Sequence, residues 1–213
     1  MPAIIDHDAR RQMLAALAAE LIARDGLAAA TVRGVAEEAG FSTKVVSHYF
    51  VDKRHLLLEA YRFAASDSAE RARAAQGQGE VDAAAFAASL CPTSPAMIRN
   101  WKVWFAFWGF AISDGSFATV QAQQIAAAER RLADLLSADR KYAPLDAVAR
   151  DRLASEVMVS LLGVALRAVF DLARWPAERQ RAVILDRFRL ALAAAGAPAA
   201  DRASLANPAG ARN

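Results

Sequence analysis

Residues 31–62, TVRGVAEEAGFSTKVVSHYFVDKRHLLLEAYR, constrain the fold more than any other stretch, because two short helical signals stand there on either side of a glycine. The hydroxyl of Thr31 suits the first position of a helix, where it can accept from a free backbone N–H. Val32, Val35, Ala36 and Ala39 then recur at helical spacing, and Gly40 supplies the left-handed conformation that stops the segment. Phe41 is placed to plug the gap between the two helices, and Ser42 caps a second one over about Thr43–Tyr49. A pair joined by so tight a turn lays its second helix in a major groove, with flanking groups on phosphate. On that reading Thr43, Lys44 and Ser47 face bases or backbone, while His48, Tyr49 and Lys53 reach phosphates. Thr31, Arg33 and Ser42 complete the candidate DNA-contacting set.

The competing account is a plain hairpin in a helical protein-interaction module. Net charge favours it, since carboxylates and cations balance over residues 1–62. Distribution favours DNA: from Gly40 to Arg54 the cations Lys44, Lys53 and Arg54 meet Asp52 alone, with His48 added. Positive potential gathers where counterion release would act.

The stretch GFSTKVVSHYFVDKRHLL resembles the N-terminal domain of TetR-type repressors, in which a capped helix, Gly, Ser, a short recognition helix, His-Tyr-Phe and a Lys opening a long helix follow in order. Many members carry Tyr where this chain has Ser47, and STKVVSHYF followed by VDK is more similar to BetI-like repressors of choline-to-glycine-betaine genes. Lys44 departs from the Gly of that subgroup, which bears on the operator sequence read by the helix.

The rest of the chain fits an all-α protein. Ala, Leu and Arg abound, alternating β-branched runs are missing, and the net charge of +3 permits nucleic-acid contact without demanding it. Cys91 is the sole cysteine, which excludes an internal disulfide and fits a cytoplasmic setting. No secretory signal opens the chain, and the aromatic run Val103–Ile112 is well short of the roughly 20 residues that span a bilayer, so no membrane partner is expected. An enzyme is not expected either: there is no Gly-rich phosphate loop and no His/Cys cluster, and His7, His48 and His55 all lie in or near the DNA-binding segment. Catalytic residues, metal ligands and cofactors are therefore all assigned as none.

Nine helices are expected: about 8–24, 32–39, 43–49, 53–75, 81–90, 95–113, 117–139, a long one from the first turn at Pro144 to Arg174, and a last one to Ala195 stopped by Gly196. Residues 1–54 form the three-helix DNA-binding domain, 55–196 a larger ligand-binding and dimerisation domain, and 197–213 a tail with few large apolar groups, read as disordered.

The helix PAMIRNWKVWFAFWGFAIS is the second informative element. Trp101, Trp104, Phe105, Trp108 and Ile112 share one face at helical spacing, with Phe107 and Phe110 on other sides. Core packing is the plainer account of each ring. Together, indole faces attract cations and, with a carboxylate from Asp114, Glu156 or Asp171, would cage a quaternary ammonium group. The segment NWKVWFAFW with QAQQIAAAERRLADLL is similar to the ligand domain of BetI-like repressors, and the resemblance implies choline or betaine aldehyde as effector. Another apolar or aromatic cation, as in multidrug-type TetR-like repressors, is the second candidate. Arg167 and Asp171 are spaced for an ion pair on one helix, which competes with a cage role for Asp171. Val157, Leu161, Leu162, Gly163, Val164, Ala165, Ala168 and Val169, with Val183, Leu185, Phe188 and Leu192, leave two apolar helices that would pair across a twofold axis in a homodimer. Such a dimer would repress by occupying a palindromic operator.

Overall fold

The computed structural model describes residues 6–76 and 80–196, and these form nine α-helices and no strand. The tail expected to be disordered lies outside the described residues. The helices are α1 (His7–Asp25), α2 (Val32–Ala39), α3 (Thr43–Tyr49), α4 (Lys53–Gln76), α5 (Ala83–Ser89), α6 (Pro95–Ala111), α7 (Gly115–Ala138), α8 (Ala147–Phe170) and α9 (Ala177–Gly196). A single 3-10 turn, Arg140–Tyr142, precedes α8.

Local chemistry explains most boundaries. Asp6, Thr31, Ser42, Asp82, Ser94 and Asp146 each accept a hydrogen bond from a free N–H in the first turn of the helix that follows. Gly40 has φ 66°, which any residue with a Cβ adopts at a cost, and its N–H bonds back to α2. Both expected boundaries of α8 are corrected. Pro144 is not in the first turn of α8, because the Asp146 carboxylate accepts the Ala149 N–H at 2.7 Å and starts the helix at Ala147. At the other end α8 stops at Phe170, four residues before Arg174. There Asp171 leaves the helical region, accepts the Arg174 N–H at 3.1 Å and pairs with that guanidinium at 3.6 Å, so the expected Arg167–Asp171 pair does not form.

The chain divides into two compact units, Met1–Arg71 with Pro92–Gln123 and Ala72–Cys91 with Gln124–Asn213, so that α4 and α7 contribute to both. The first unit is built on Leu14, Ile22, Val35, Val46, Phe50, Leu56 and Ala60, and Val103 of α6 belongs to that same core. A polar cluster joins α1, α4 and α6. Asn100, fully buried, donates to Asp67 and Ser68 at 2.8 Å each, while Arg99 pairs with Asp67 and Glu20 at 2.7 Å each. Burial alone would raise the Asp67 carboxyl, but Arg71, Asn100 and Arg99 more than offset it and hold it below the usual range.

In the second unit α9 packs on both α5 and α8, around Leu153, Val157, Leu161, Val164, Ile184 and Phe188. Asp139 accepts from the Ala83 and Lys141 N–H groups at 3.0 Å each, tying α5 to the turn after α7. Burial pushes the Cys91 thiol up to about 12. By length and composition α8 is apolar enough to cross a bilayer, a property it shares with core helices of helical proteins. Its inner side is buried, whereas Val159, Leu162, Leu166 and Phe170 form an open apolar stripe, with Phe170 80% exposed.

Candidate nucleic-acid interface and aromatic site

The helix-turn-helix sorts its side chains by the helical period. Val46, Tyr49 and Phe50 turn inward, and Ser42, Thr43, Lys44, Ser47 and His48 are exposed on the outer side of α3. Lys53 is exposed at the start of α4. Thr31 is half-buried with its hydroxyl bonded to the Gly34 N–H at 2.9 Å, and Arg33 is exposed but paired with Glu37 at 2.8 Å. Tyr49 is a correction: it is 6% exposed and belongs to the core rather than to the phosphate-facing set. Its hydroxyl meets His7 Nδ1 at 3.0 Å, and the His7 and His48 rings lie 5.9 Å apart. This tie between the ends of α1 and α3 bridges 42 positions and left no local signal in the sequence.

Arg54 is a second correction. It does not stand free among the cations of the recognition side, because its guanidinium bonds Asp114 at 2.5 and 3.2 Å and Ser116 Oγ at 2.7 Å. The same guanidinium lies 4.7 Å from the Phe117 ring centroid. Hydrogen bonds from Arg54 first, then Ser116, hold the Asp114 carboxyl well below the usual carboxylate range. Asp114 also accepts from the Ser116 and Phe117 N–H groups and so starts α7 at Gly115, two residues earlier than expected.

Four rings of α6 come together. Trp101 meets Trp104 at 4.7 Å and 84°, Phe105 at 5.5 Å and Trp108 at 6.3 Å and 88°, and Phe105 meets Trp108 at 5.3 Å. Edge-to-face geometry puts the positive rim of one ring on the negative face of another. Trp101 is 3% exposed, while Trp104, Phe105 and Trp108 are half-buried. Ile112 does not join them, because α6 ends at Ala111 and Ile112 is 88% exposed. The Trp108 Nε1–H is buried and makes no hydrogen bond of good geometry, although it lies near enough to the Tyr61 hydroxyl to interact with it. Nearby in the same unit, Tyr61 stacks on Phe107 at 4.0 Å and donates to Gln121 Oε1 at 2.5 Å. Burial raises that phenol above its usual value, against a smaller opposing interaction with Trp108.

None of the three expected cage carboxylates stands free for a cation. Asp114 faces Arg54 and Arg174 takes Asp171, while Glu156 lies 3.8 Å from Arg152 on its own helix.

Residues 14–60, from α1 into α4, match the family model described as bacterial regulatory proteins of the tetR family. Residues 82–193, α5 through most of α9, match that of the BetI-type transcriptional repressor C-terminal domain. The chain belongs to the TetR family, in its BetI-type branch. The HTH-type transcriptional regulator BetI of Paraburkholderia phytofirmans is 31% identical over 80% of this chain and 87% of its own. The regulator PksA of Bacillus subtilis is 27% identical over 87% and 91%. A transcriptional regulator from Saccharomonospora viridis, solved in complex with choline, shares the fold with a TM-score of 0.70 at 19% identity, covering 84% of this chain and 95% of that one. Membership of the BetI-type branch makes the chain a DNA-binding regulator of transcription and replaces the reading of its hairpin as a protein-interaction module.

Proposed function

We propose that this BetI-type regulator acts in the cytoplasm as a homodimer on a palindromic operator, and that choline or betaine aldehyde alters its affinity there. The controlled genes would then serve glycine-betaine synthesis or choline uptake. The observation that carries the DNA part is the outer side of α3, where Thr43, Lys44, Ser47 and His48 stand exposed, with Lys53 exposed at the start of the next helix. Two such helices about one turn of DNA apart would read two half-sites.

The effector reading rests on the packed rings Trp101, Trp104, Phe105 and Trp108. Ring faces attract quaternary ammonium groups without a full negative charge. The Trp108 Nε1–H, whose neighbouring acceptor is the Tyr61 hydroxyl without good hydrogen-bond geometry, offers a donor for the hydroxyl of choline or the carbonyl of betaine aldehyde. The choline complex of the Saccharomonospora viridis regulator supports the same ligand class. Engagement of Asp114 by Arg54 favours one further reading, an aromatic ligand held by the rings alone.

The dimer reading rests on the stripe of α8. Val159, Leu162, Leu166 and Phe170 lie open at helical spacing, and Gly163 sits among them with nothing within 4 Å of where a Cβ would be. A helix-interior glycine is about 1 kcal/mol worse than alanine. Nothing in the protomer requires one at 163, so close approach of a second α8 is the reason offered for it.

Choline titration followed by tryptophan emission and calorimetry, with glycine betaine as comparison, tests the effector. Saturable choline binding is expected, about tenfold weaker in Trp104→Ala. No heat and no spectral change up to millimolar choline would remove choline while leaving the family assignment intact.

A further inference from the structure

Besides the apolar packing of Val103 and Trp104, α6 is tied to the helix-turn-helix by polar contacts at two places. Toward its N-terminal end, Arg99 pairs with Glu20 of α1 at 2.7 Å and Lys102 Nζ donates to the Ala23 carbonyl at 3.2 Å. At its C-terminal end, the turn into α7 holds Asp114 and Ser116, and both bind Arg54 in the first turn of α4. That first turn is itself fixed to the helix-turn-helix, since Leu56 and Leu57 are buried in its core and Asp52 accepts the His55 N–H at 2.8 Å. Apolar packing is non-directional, so with one polar tie alone the angle between α6 and the start of α4 would be set less sharply. Two attachments fix the direction of α4's start, and with it Lys53 and α3, relative to the aromatic helix.

From this geometry we infer that Asp114 and Ser116 are positioning residues for operator binding: through Arg54 they latch the start of α4 to the α6–α7 turn and hold the recognition helix at its operator-competent angle. The inference deepens the proposed operator binding and rests on it, but it needs no particular effector. Asp114 does not meet DNA in this scheme. Its guanidinium partner is planar and forked, so two parallel bonds fix orientation as well as distance.

Charge gives the test a sign. Removing the Asp114 carboxylate makes the protein more positive, which strengthens attraction to any phosphate backbone. Loss of a latch instead weakens binding only where geometry matters. The probes are the duplex that the wild-type protein enriches from a random pool and an unrelated duplex of equal length at the same salt. Asp114→Asn retains an oxygen to cap α7, and is expected to bind the enriched duplex about tenfold more weakly while the unrelated duplex is bound as well or better. Arg54→Gln weakens both, since a cation is lost as well. The double variant binds the enriched duplex no worse than Arg54→Gln alone, because the two groups act as one unit. Asp114→Asn binding both duplexes equally well or more tightly than wild type, or additive losses in the double variant, would overturn the latch. Retained binding to the unrelated duplex reports that the variant is folded. Should Asp114→Asn not fold, Ser116→Ala carries the test, with a loss of about threefold expected on the enriched duplex and no loss overturning the inference. If wild type enriches no duplex at all, operator binding itself fails and the latch falls with it.

Discussion

Among the described residues α6 and α8 are the two most apolar of the long helices, and they are covered in different ways. α6 buries Met97, Trp101, Val103, Phe107 and Ala111 within its own unit, and Trp104 packs against both the helix-turn-helix core and the smaller cluster around Tyr61 and Phe117. α8 buries one side against its own unit and leaves Val159, Leu162, Leu166 and Phe170 open. An apolar pattern thus identifies a surface that needs a cover without naming the cover. For α6 it is the chain itself and, on our proposal, a ligand. For α8 the proposed cover is a second copy.

The largest effect is expected from Trp101→Ala. If α6 is core, the variant loses about 3–5 kcal/mol of stability in chemical denaturation, while its oligomeric state in sedimentation is unchanged. Leu166→Glu is the mirror experiment, because Leu166 is exposed in the protomer. It leaves protomer stability within about 0.5 kcal/mol and weakens dimer association by about 2–4 kcal/mol, read by sedimentation equilibrium. Equal effects on stability and association in both variants would erase the distinction.

Gly163→Ala sharpens it further by splitting the sign. The alanine has open space around it, so the protomer gains about 1 kcal/mol in thermal melts at low concentration. Against a second α8 the added methyl is in the way, and association weakens. An alanine that strengthens both would remove the argument from Gly163. The smallest effect is a pH dependence at the anchored start of α6. The folded Asp67 carboxyl lies below its unfolded value, so its contribution to stability is complete above about pH 4 and is lost as pH falls below that. In Asp67→Asn the acid-side slope of stability becomes shallower by at most about 1.4 kcal/mol per pH unit.

What was legible in the sequence was what neighbours in sequence decide. The bounds of α2 and α3 follow from Thr31, Gly40 and Ser42, each acting on residues two to four positions away. The all-α class follows from composition and period. Long-range pairings were not legible. Asp114 offers a free carboxylate beside an aromatic helix in the sequence, yet its partner Arg54 is 60 positions earlier. Tyr49 reads as a surface phenol until His7 is found opposite its hydroxyl. The end of α8 was misjudged because Trp175–Pro176 is a visible stop, whereas the Asp171 turn that precedes it depends on one carboxylate turning back to the Arg174 N–H. Among the aromatic residues the period put Trp101, Trp104, Phe105 and Trp108 together, and failed at Ile112, one residue past the helix end.

Cys91 has a consequence of another kind. A buried thiol held at about 12 is almost never a thiolate near neutral pH, and only the thiolate reacts at a useful rate with oxidants, alkylating agents or disulfides. Buried and protonated, this residue is expected to react slowly with oxidants while the second unit stays folded. The native cysteine can also remain in place when a reporter is attached through a cysteine introduced on the outer side of α3, which opens the separation of the two recognition helices of the proposed dimer to direct distance measurement.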